Sequence, residues 1–401
     1  MDSRLVVALV RCADYDLVHV EEALRRSLDL LGGLGNFIQP KQRVLLKPNL
    51  LRSLPPERVA TTHPAIVAIM AKLVCEVGAQ PIVLDSPGGP FTPLLLRSIY
   101  RKTGMMLVEE YGAELNYNTE SVQVVHPAGV VMHRLDVVQR LLEVDAVINL
   151  PKLKTHNLTS LTMAVKNLFG LVPGMLKLSY HSKMQDRELF SAGLVDILTF
   201  VKPTLNILDA VVAMEGNGPS GGQPRQVGAI LASANALALD VVGADLVGFE
   251  PLSVLTTLVA AKRGLTTGRL SDITLLGDDL DMLRVADFRK GTVAMIDPGL
   301  LPERVREALD NNDKPKRRSL MHELTQGWWA KQLLVSPRAA PNCIGCGYCV
   351  KHCPVNAIEV VNGKAHMDTH KCIRCYCCHE LCPELAVELK RPWFGRLFVG
   401  D

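Results

Sequence analysis

Residues 145–174 read DAVINLPKLKTHNLTSLTMAVKNLFGLVPG. The first six are an apolar run of strand length. A loop with Lys152, Lys154 and His156 follows. From 160 to 169 the apolar positions fall at helical spacing, with Leu161, Ala164, Val165 and Leu168 on one face. Strand, cationic loop, helix is the grammar of an α/β fold, and this stretch sets the reading of the chain around it.

Working outward, the same grammar recurs. RLVVALV (4–10) reads as a strand, 18–31 as a helix stopped by Gly32-Gly33, and RVLLK (43–47) as a strand. A helix opens at Pro64, PIVLD (81–85) is a strand, and a helix follows from about Thr92. Residues 122–137 form a β-rich excursion, and 187–201 are helical. LNILDAVVAM (205–214), VGAILAS (227–233) and ITLLG (273–277) are strands, with helices over 236–248 and 251–263. Such alternation predicts an α/β domain with a mainly parallel open sheet and helices on both faces.

Polar clusters follow the predicted strands: Lys47-Pro-Asn49, Asp85-Ser-Pro-Gly-Gly, Lys152 to His156, and Glu215-Gly-Asn217-Gly. The carboxyl edge of an open α/β sheet is where ligands bind. The helix after His156 would add free N–H groups and a positive dipole end, with Thr159 or Ser160 as its cap. Lys152, Lys154, His156, Lys166 and Asn167 have no acidic neighbour in sequence, so the set suits an anion. Its blander reading is a solvated basic loop. His156 is the candidate proton donor, because imidazole titrates near neutral pH. Lys166 and the other lysines would stabilise developing negative charge. Lys47, Asn49, Asp85, Lys152, Lys154, Asn167, Glu215 and Asn217 are the candidate substrate contacts. Asp209 and Asp240 lie in apolar runs, where helix or strand-edge roles compete with ligation. GNGPSG (216–221) matches G-x-G-x-x-G, but no helix follows it, so a substrate-covering turn is expected instead of a dinucleotide site.

The C-terminal part carries the sharpest motif. CIGCGYCVKHCP (343–354) and CIRCYCCHELCP (372–383) both fit C-x2-C-x2-C-x3-C-P, the spacing of two-cluster bacterial ferredoxins. Three thiolates of each run serve one cluster and the fourth serves the other. One [4Fe–4S] cluster is therefore assigned to Cys343, Cys346, Cys349 and Cys382, the second to Cys353, Cys372, Cys375 and Cys378. Cys377 is surplus. Zinc held by four cysteines is the competing reading. Asn362-Gly363, between alternating segments, predicts a two-residue hairpin.

The net charge of +3 gives no case for nucleic acid. No apolar run reads as a membrane span, and the opening residues read as no secretory signal. Nine of eleven cysteines lie within 343–382, which is metal-ligand usage and not a disulfide framework. A cytoplasmic protein is expected. The expected divisions are 1–300 (α/β domain), 301–340 (connector with KPKRR and Trp328-Trp329), 341–391 (ferredoxin domain) and 392–401 (tail).

LLKPNL, TTHP, LDSPGG, the 151–174 stretch and LDAVVAMEGNGPSGGQPR together resemble the domain of unknown function 362 family over about residues 1–300. That resemblance implies the architecture and an iron–sulfur module, and no settled reaction. A fainter likeness is to lactate racemase, whose nickel-pincer cofactor is attached to a lysine. His156 stands ten residues before Lys166, and Pro173-Gly174 follows, as in that enzyme; Ala164-Val165 replaces its Gly-Gly. The leading expectation is an oxidoreductase whose clusters exchange electrons with an anionic substrate, or a further unidentified cofactor, in the cleft, and with a redox partner protein. The alternatives are a non-catalytic electron carrier with a docking or anion-sensing domain, and a racemase-like isomerase. The oligomeric state is left open.

Overall fold

A computed structural model describes residues 5–291 and 335–390. The chain divides into two compact units, Met1–Arg289 and Lys290–Asp401. The basic run 314–318, Trp328-Trp329 and the tail lie outside the described residues.

The first unit is built on a ten-stranded sheet. Its strands are β1 (Val6–Arg11), β2 (Arg43–Pro48), β3 (Gln80–Val83), β4 (Glu114–Leu115), β7 (Ala146–Leu150), β8 (Lys152–His156), β9 (Ser160–Thr162), β10 (Leu205–Glu215), β11 (Gln223–Ser233) and β12 (Thr274–Gly277). The order is β12-β1-β11-β10-β7-β2-β3-β4, with β8 beside β10 and β9 beside β8. Neighbours from β10 through β7, β2 and β3 to β4 run parallel, as do β1 and β12. β11 is reversed between β1 and β10, and β9 is reversed against β8. The β-rich excursion is a separate hairpin of β5 (Ser121–Val125) and β6 (Arg134–Val138).

Alternate strand residues feed two cores, because successive side chains point to opposite faces. On one face Ala8, Val10, Val44, Leu46, Ile148 and Ile207 pack with α1 (Leu17–Leu30), α2 (Pro64–Glu76) and α3 (Pro93–Lys102). On the other, Leu208 lies against Gly243 of α7 (Ala236–Leu246), with no room for a side chain there. The remaining helices are α4 (Ala164–Asn167), α5 (Leu176–Lys183), α6 (Arg187–Val201), α8 (Leu255–Lys262) and α9 (Leu280–Leu283). The open, mainly parallel sheet with helices on both faces is the expected fold.

The deciding stretch folds differently in detail. Lys152–His156 is a strand, not a loop. The expected helix over 160–169 is β9, then the four residues of α4 and a 3-10 turn. Ser160 has φ 67°. That left-handed backbone turns the chain into β9 and cannot open a helix.

In the second unit β13 (Ser336–Ala339) pairs antiparallel with β16 (Val387–Lys390), and β14 (Ile358–Val361) with β15 (Lys364–Met367). Two short helices, α10 (Tyr348–Lys351) and α11 (Cys377–Leu381), each begin within a cysteine run. Asn362 and Gly363 form the predicted turn, with φ of 49° and 70°, both in the region a type I′ hairpin needs. β13 lies in what the sequence reading assigned to the connector. Its ladder with β16 joins it to the ferredoxin unit.

Candidate functional site

The polar strand ends converge as expected, but on each other first. Lys47, Lys152 and Lys154 are each at most 1% exposed. Lys47 Nζ donates to Asp85 Oδ1 at 2.6 Å and to the Pro48 carbonyl at 2.8 Å. Lys152 Nζ donates to Asp209 Oδ2 at 2.9 Å and to the Tyr15 hydroxyl at 2.6 Å. Burial pulls both amines below their usual range, and the paired carboxylates oppose that. Lys152, which has no acidic neighbour in sequence, thus has an acidic partner in space, and so does Lys47. The carboxylates come from β10 and the end of β3, which sequence distance had hidden.

An amide relay links the rest. Asn49 Oδ1 accepts from Lys154 Nζ at 2.8 Å, and Asn49 Nδ2 donates to Asn167 Oδ1 at 2.9 Å. Asn167 Nδ2 donates to Asn149 Oδ1 at 2.8 Å, and Asn149 Nδ2 to Asn206 Oδ1 at 2.9 Å. Lys154 Nζ also donates to the Ala60 carbonyl at 2.6 Å. Lys47, Asn49, Asp85, Lys154 and Asn167 therefore form one network. Glu215 stands apart, its carboxylate accepting from Arg289 Nε at 2.6 Å and Arg289 N at 3.0 Å. Asn217 is half-buried in the turn between β10 and β11.

Lys152, Lys154 and His156 alternate along β8 and so share one face of it. That period of two was the signal in the sequence. His156 is buried. Burial first, then the charges of Lys166, Lys154 and Arg187 and the field of His181, hold its imidazole well below its ordinary range. Its Nδ1 accepts from Leu158 N at 3.1 Å, which places the proton of the neutral ring on Nε2. His181 is driven down to about 3 by burial, Lys166 and Lys177, and it stacks on Phe190 at 4.5 Å. Lys166 Nζ lies 4.7 Å from the Phe169 ring centre and 5.7 Å from that of Phe190, within cation–π range. Arg187 Nε donates to the Leu158 carbonyl at 2.8 Å. The region thus gathers cations around two neutral imidazoles. The His156 ring is a neutral imidazole carrying its proton on Nε2, not an imidazolium.

The start of α4 does not face a ligand. Ala164 N and Val165 N donate to the two oxygens of Asp240 at 2.7 and 3.1 Å. Neither Thr159 nor Ser160 caps this helix; Thr159 bonds the Leu161 carbonyl and Ser160 the Ser253 carbonyl. Asp240 is buried on α7, and burial raises its carboxyl to about 7. Lys177 was also missed by the sequence reading. Its Nζ has Ser86 O and Val172 O at 2.7 Å, with Ser86 Oγ and Pro87 O at 3.2 and 3.3 Å. Burial lowers it to about 7, yet four acceptors suit an ammonium clamping the loop after Asp85. Tyr15 and His63, stacked at 3.6 Å beside Asp209, were missed as well. TTHP was the trace of His63 alone, and Tyr15 had none.

In the second unit two small cavities are lined by cysteines. Cys343, Cys346, Cys349 and Cys382 line one; Cys353, Cys372, Cys375 and Cys378 line the other. Among the described residues, no three His, Cys, Asp or Glu converge closely enough to hold a single metal ion. Backbone N–H groups of Ala357 and Ala386 point at Cys353 and Cys382 Sγ, both at 3.2 Å. Hydrogen bonds to cluster sulfurs tune their potentials. Cys377 is buried and lines neither cavity.

These features define an α/β protein with an iron–sulfur module. The chain belongs to the family of the domain of unknown function DUF362, whose model matches residues 44–245, and a 4Fe–4S dicluster domain matches 338–383. A thylakoid-associated protein of Synechocystis sp. is 38% identical over 270 residues, 65% of this chain and 79% of the relative. One component of an ion-translocating oxidoreductase complex from Methanosarcina acetivorans is 46% identical over 48 residues, 12% of this chain and 18% of that protein. Two solved structures are similar over less than two thirds of their own length. The lactate racemase apoprotein of Thermoanaerobacterium thermosaccharolyticum is 14% identical at TM-score 0.39, covering 62% of this chain and 58% of its own. A Thermotoga maritima protein is 11% identical at TM-score 0.32, covering 50% and 51%. No described helix is long and apolar enough to cross a membrane.

Proposed function

We propose that the protein is an oxidoreductase in which two [4Fe–4S] clusters exchange electrons with a small anion, or with a further cofactor, held in the Lys/His pocket of the α/β unit. One observation carries the reading: cations of β8, α4 and α6 gather around a neutral, buried His156. Bound clusters would supply one-electron transfer, and the eight cavity cysteines would hold them. This chain's own groups would do the rest. Lys154 and Lys166 would bind and stabilise negative charge, and His156 Nε2–H would donate toward it. The Lys47–Asp85 and Lys152–Asp209 pairs would fix the walls. Electrons would enter or leave through a redox partner protein, and the cytoplasm is the proposed compartment.

The second reading, an electron carrier with a docking domain, draws on the same two ion pairs, since internally satisfied lysines need no ligand. An anaerobic preparation assayed for iron, sulfide, nickel and bound chromophore tests the proposal. About eight irons and eight sulfides per chain are expected. Stoichiometric zinc without iron would contradict it.

A further inference from the structure

Among the described residues, two buried hydroxyls beside Lys154 have no hydrogen-bond partner. Thr162 Oγ1 and Thr61 Oγ1 are both unsatisfied, in residues only 2% exposed. A buried hydroxyl without a partner costs stability, so such groups are normally paired. Their places in the fold relate them to one centre. Thr162 is the direct ladder partner of Lys154 in the antiparallel β8–β9 pair. Directly opposed residues project to the same face, with Cβ atoms about 4.5–5.5 Å apart. Thr61 follows Ala60, whose carbonyl accepts from Lys154 Nζ at 2.6 Å. The next residues are committed elsewhere: Thr62 Oγ1 donates to the Leu150 carbonyl at 2.7 Å, and His63 N donates to Asp209. Among the described side chains of that turn, Thr61 Oγ1 is the buried polar atom left unsatisfied.

We infer that Thr61 and Thr162 are binding residues of this pocket, and that its ligand carries a compact oxyanion group, phosphate or carboxylate, whose oxygens accept from both hydroxyls beside Lys154. The inference rests on the anion-binding reading above and adds two residues and a ligand class to it. An oxyanion has several lone pairs on neighbouring oxygens, so it can satisfy two hydroxyls and an ammonium together. A purely apolar ligand would leave both hydroxyls unpaired, and a cationic one would face lysine.

The test uses the full-length, cluster-loaded chain under anaerobic conditions, with inorganic phosphate and acetate as separate probes. Binding is read by calorimetry and melting by a thermal scan, for wild type, Thr162→Val and Thr61→Val. Valine keeps the shape and removes the donor. Each variant should melt at or above the wild-type temperature without probe, and should bind the preferred oxyanion about 10- to 100-fold more weakly, the loss of one hydrogen bond to a charged group. Which probe binds tighter assigns phosphate or carboxylate. If wild type and valine variants bind alike, the threonines are not ligands, although the anion site stands. If the variants melt well below wild type, the hydroxyls are structural and the inference falls. If wild type binds neither probe, this inference and the anion-binding reading fail together.

Discussion

Lys47 and Asp85 show what a buried charge demands of its neighbours. Truncating Lys47 to Ala would leave Asp85 uncompensated at 3% exposure, a loss of about 3–5 kcal/mol, measurable by urea unfolding. Gly170 lies directly over this pair. A Cβ there would sit 1.9 Å from Asp85 Oδ1 and 2.4 Å from Lys47 Nζ, so Gly170→Ala should be comparably damaging, although it removes no interaction. In the cysteine runs, Cys378→Ser should lose one cluster by iron analysis and Cys377→Ser should keep both. Loss of a cluster in Cys377→Ser would show that the register within CYCC is displaced by one. The two groups of cavity-lining cysteines were legible because spacing alone sorts them. Lys152 and Lys154 were legible as residues but not as partners. Asp209 lies 57 residues beyond Lys152, and no local pattern announces such a pair.

At the scale of elements, α4 is where reading and structure part. The apolar spacing over 160–169 was real, but Ser160 in left-handed backbone and the β8–β9 ladder take its first half. What remains is a short helix held from outside by Asp240. The sign of its pH effect follows from the shift. Its folded carboxyl is raised to about 7, so between the ordinary carboxylate range and 7 the folded state holds a proton that the unfolded chain has released. Asp240 therefore contributes most at low pH, and its contribution falls as pH rises to about 7, then levels off. Asp240→Asn should lack this dependence. Its stability relative to wild type should climb between about pH 4 and 7, by no more than roughly 1.4 kcal/mol per pH unit. A flat difference across that window would mean that Asp240 ionises normally. Strands were easier to read than α4, because an apolar run bounded by turn residues admits few alternatives, whereas a ten-residue periodic stretch can be divided by one backbone angle.

For the whole molecule, each unit carries a core of its own. A chain ending at residue 291 is expected to stay soluble and unfold cooperatively, since it holds all ten described strands of the large sheet. Ending it at residue 285 removes Arg289, the partner of buried Glu215, and should lower the midpoint of urea unfolding. Aggregation of the longer fragment would show that residues beyond 291 complete its core. The central claim is that electrons of the clusters reach an anion held by the pocket, and Lys166 is its most exposed point. The direct measurement follows reoxidation of chemically reduced clusters in the full-length protein, as fractions of small anionic metabolites are added without oxygen. Wild type should be reoxidised by a particular fraction. Lys166→Ala, carrying the same iron and sulfide, should stay reduced with it. Equal rates in the two proteins, or no fraction that reoxidises wild type, would contradict the account.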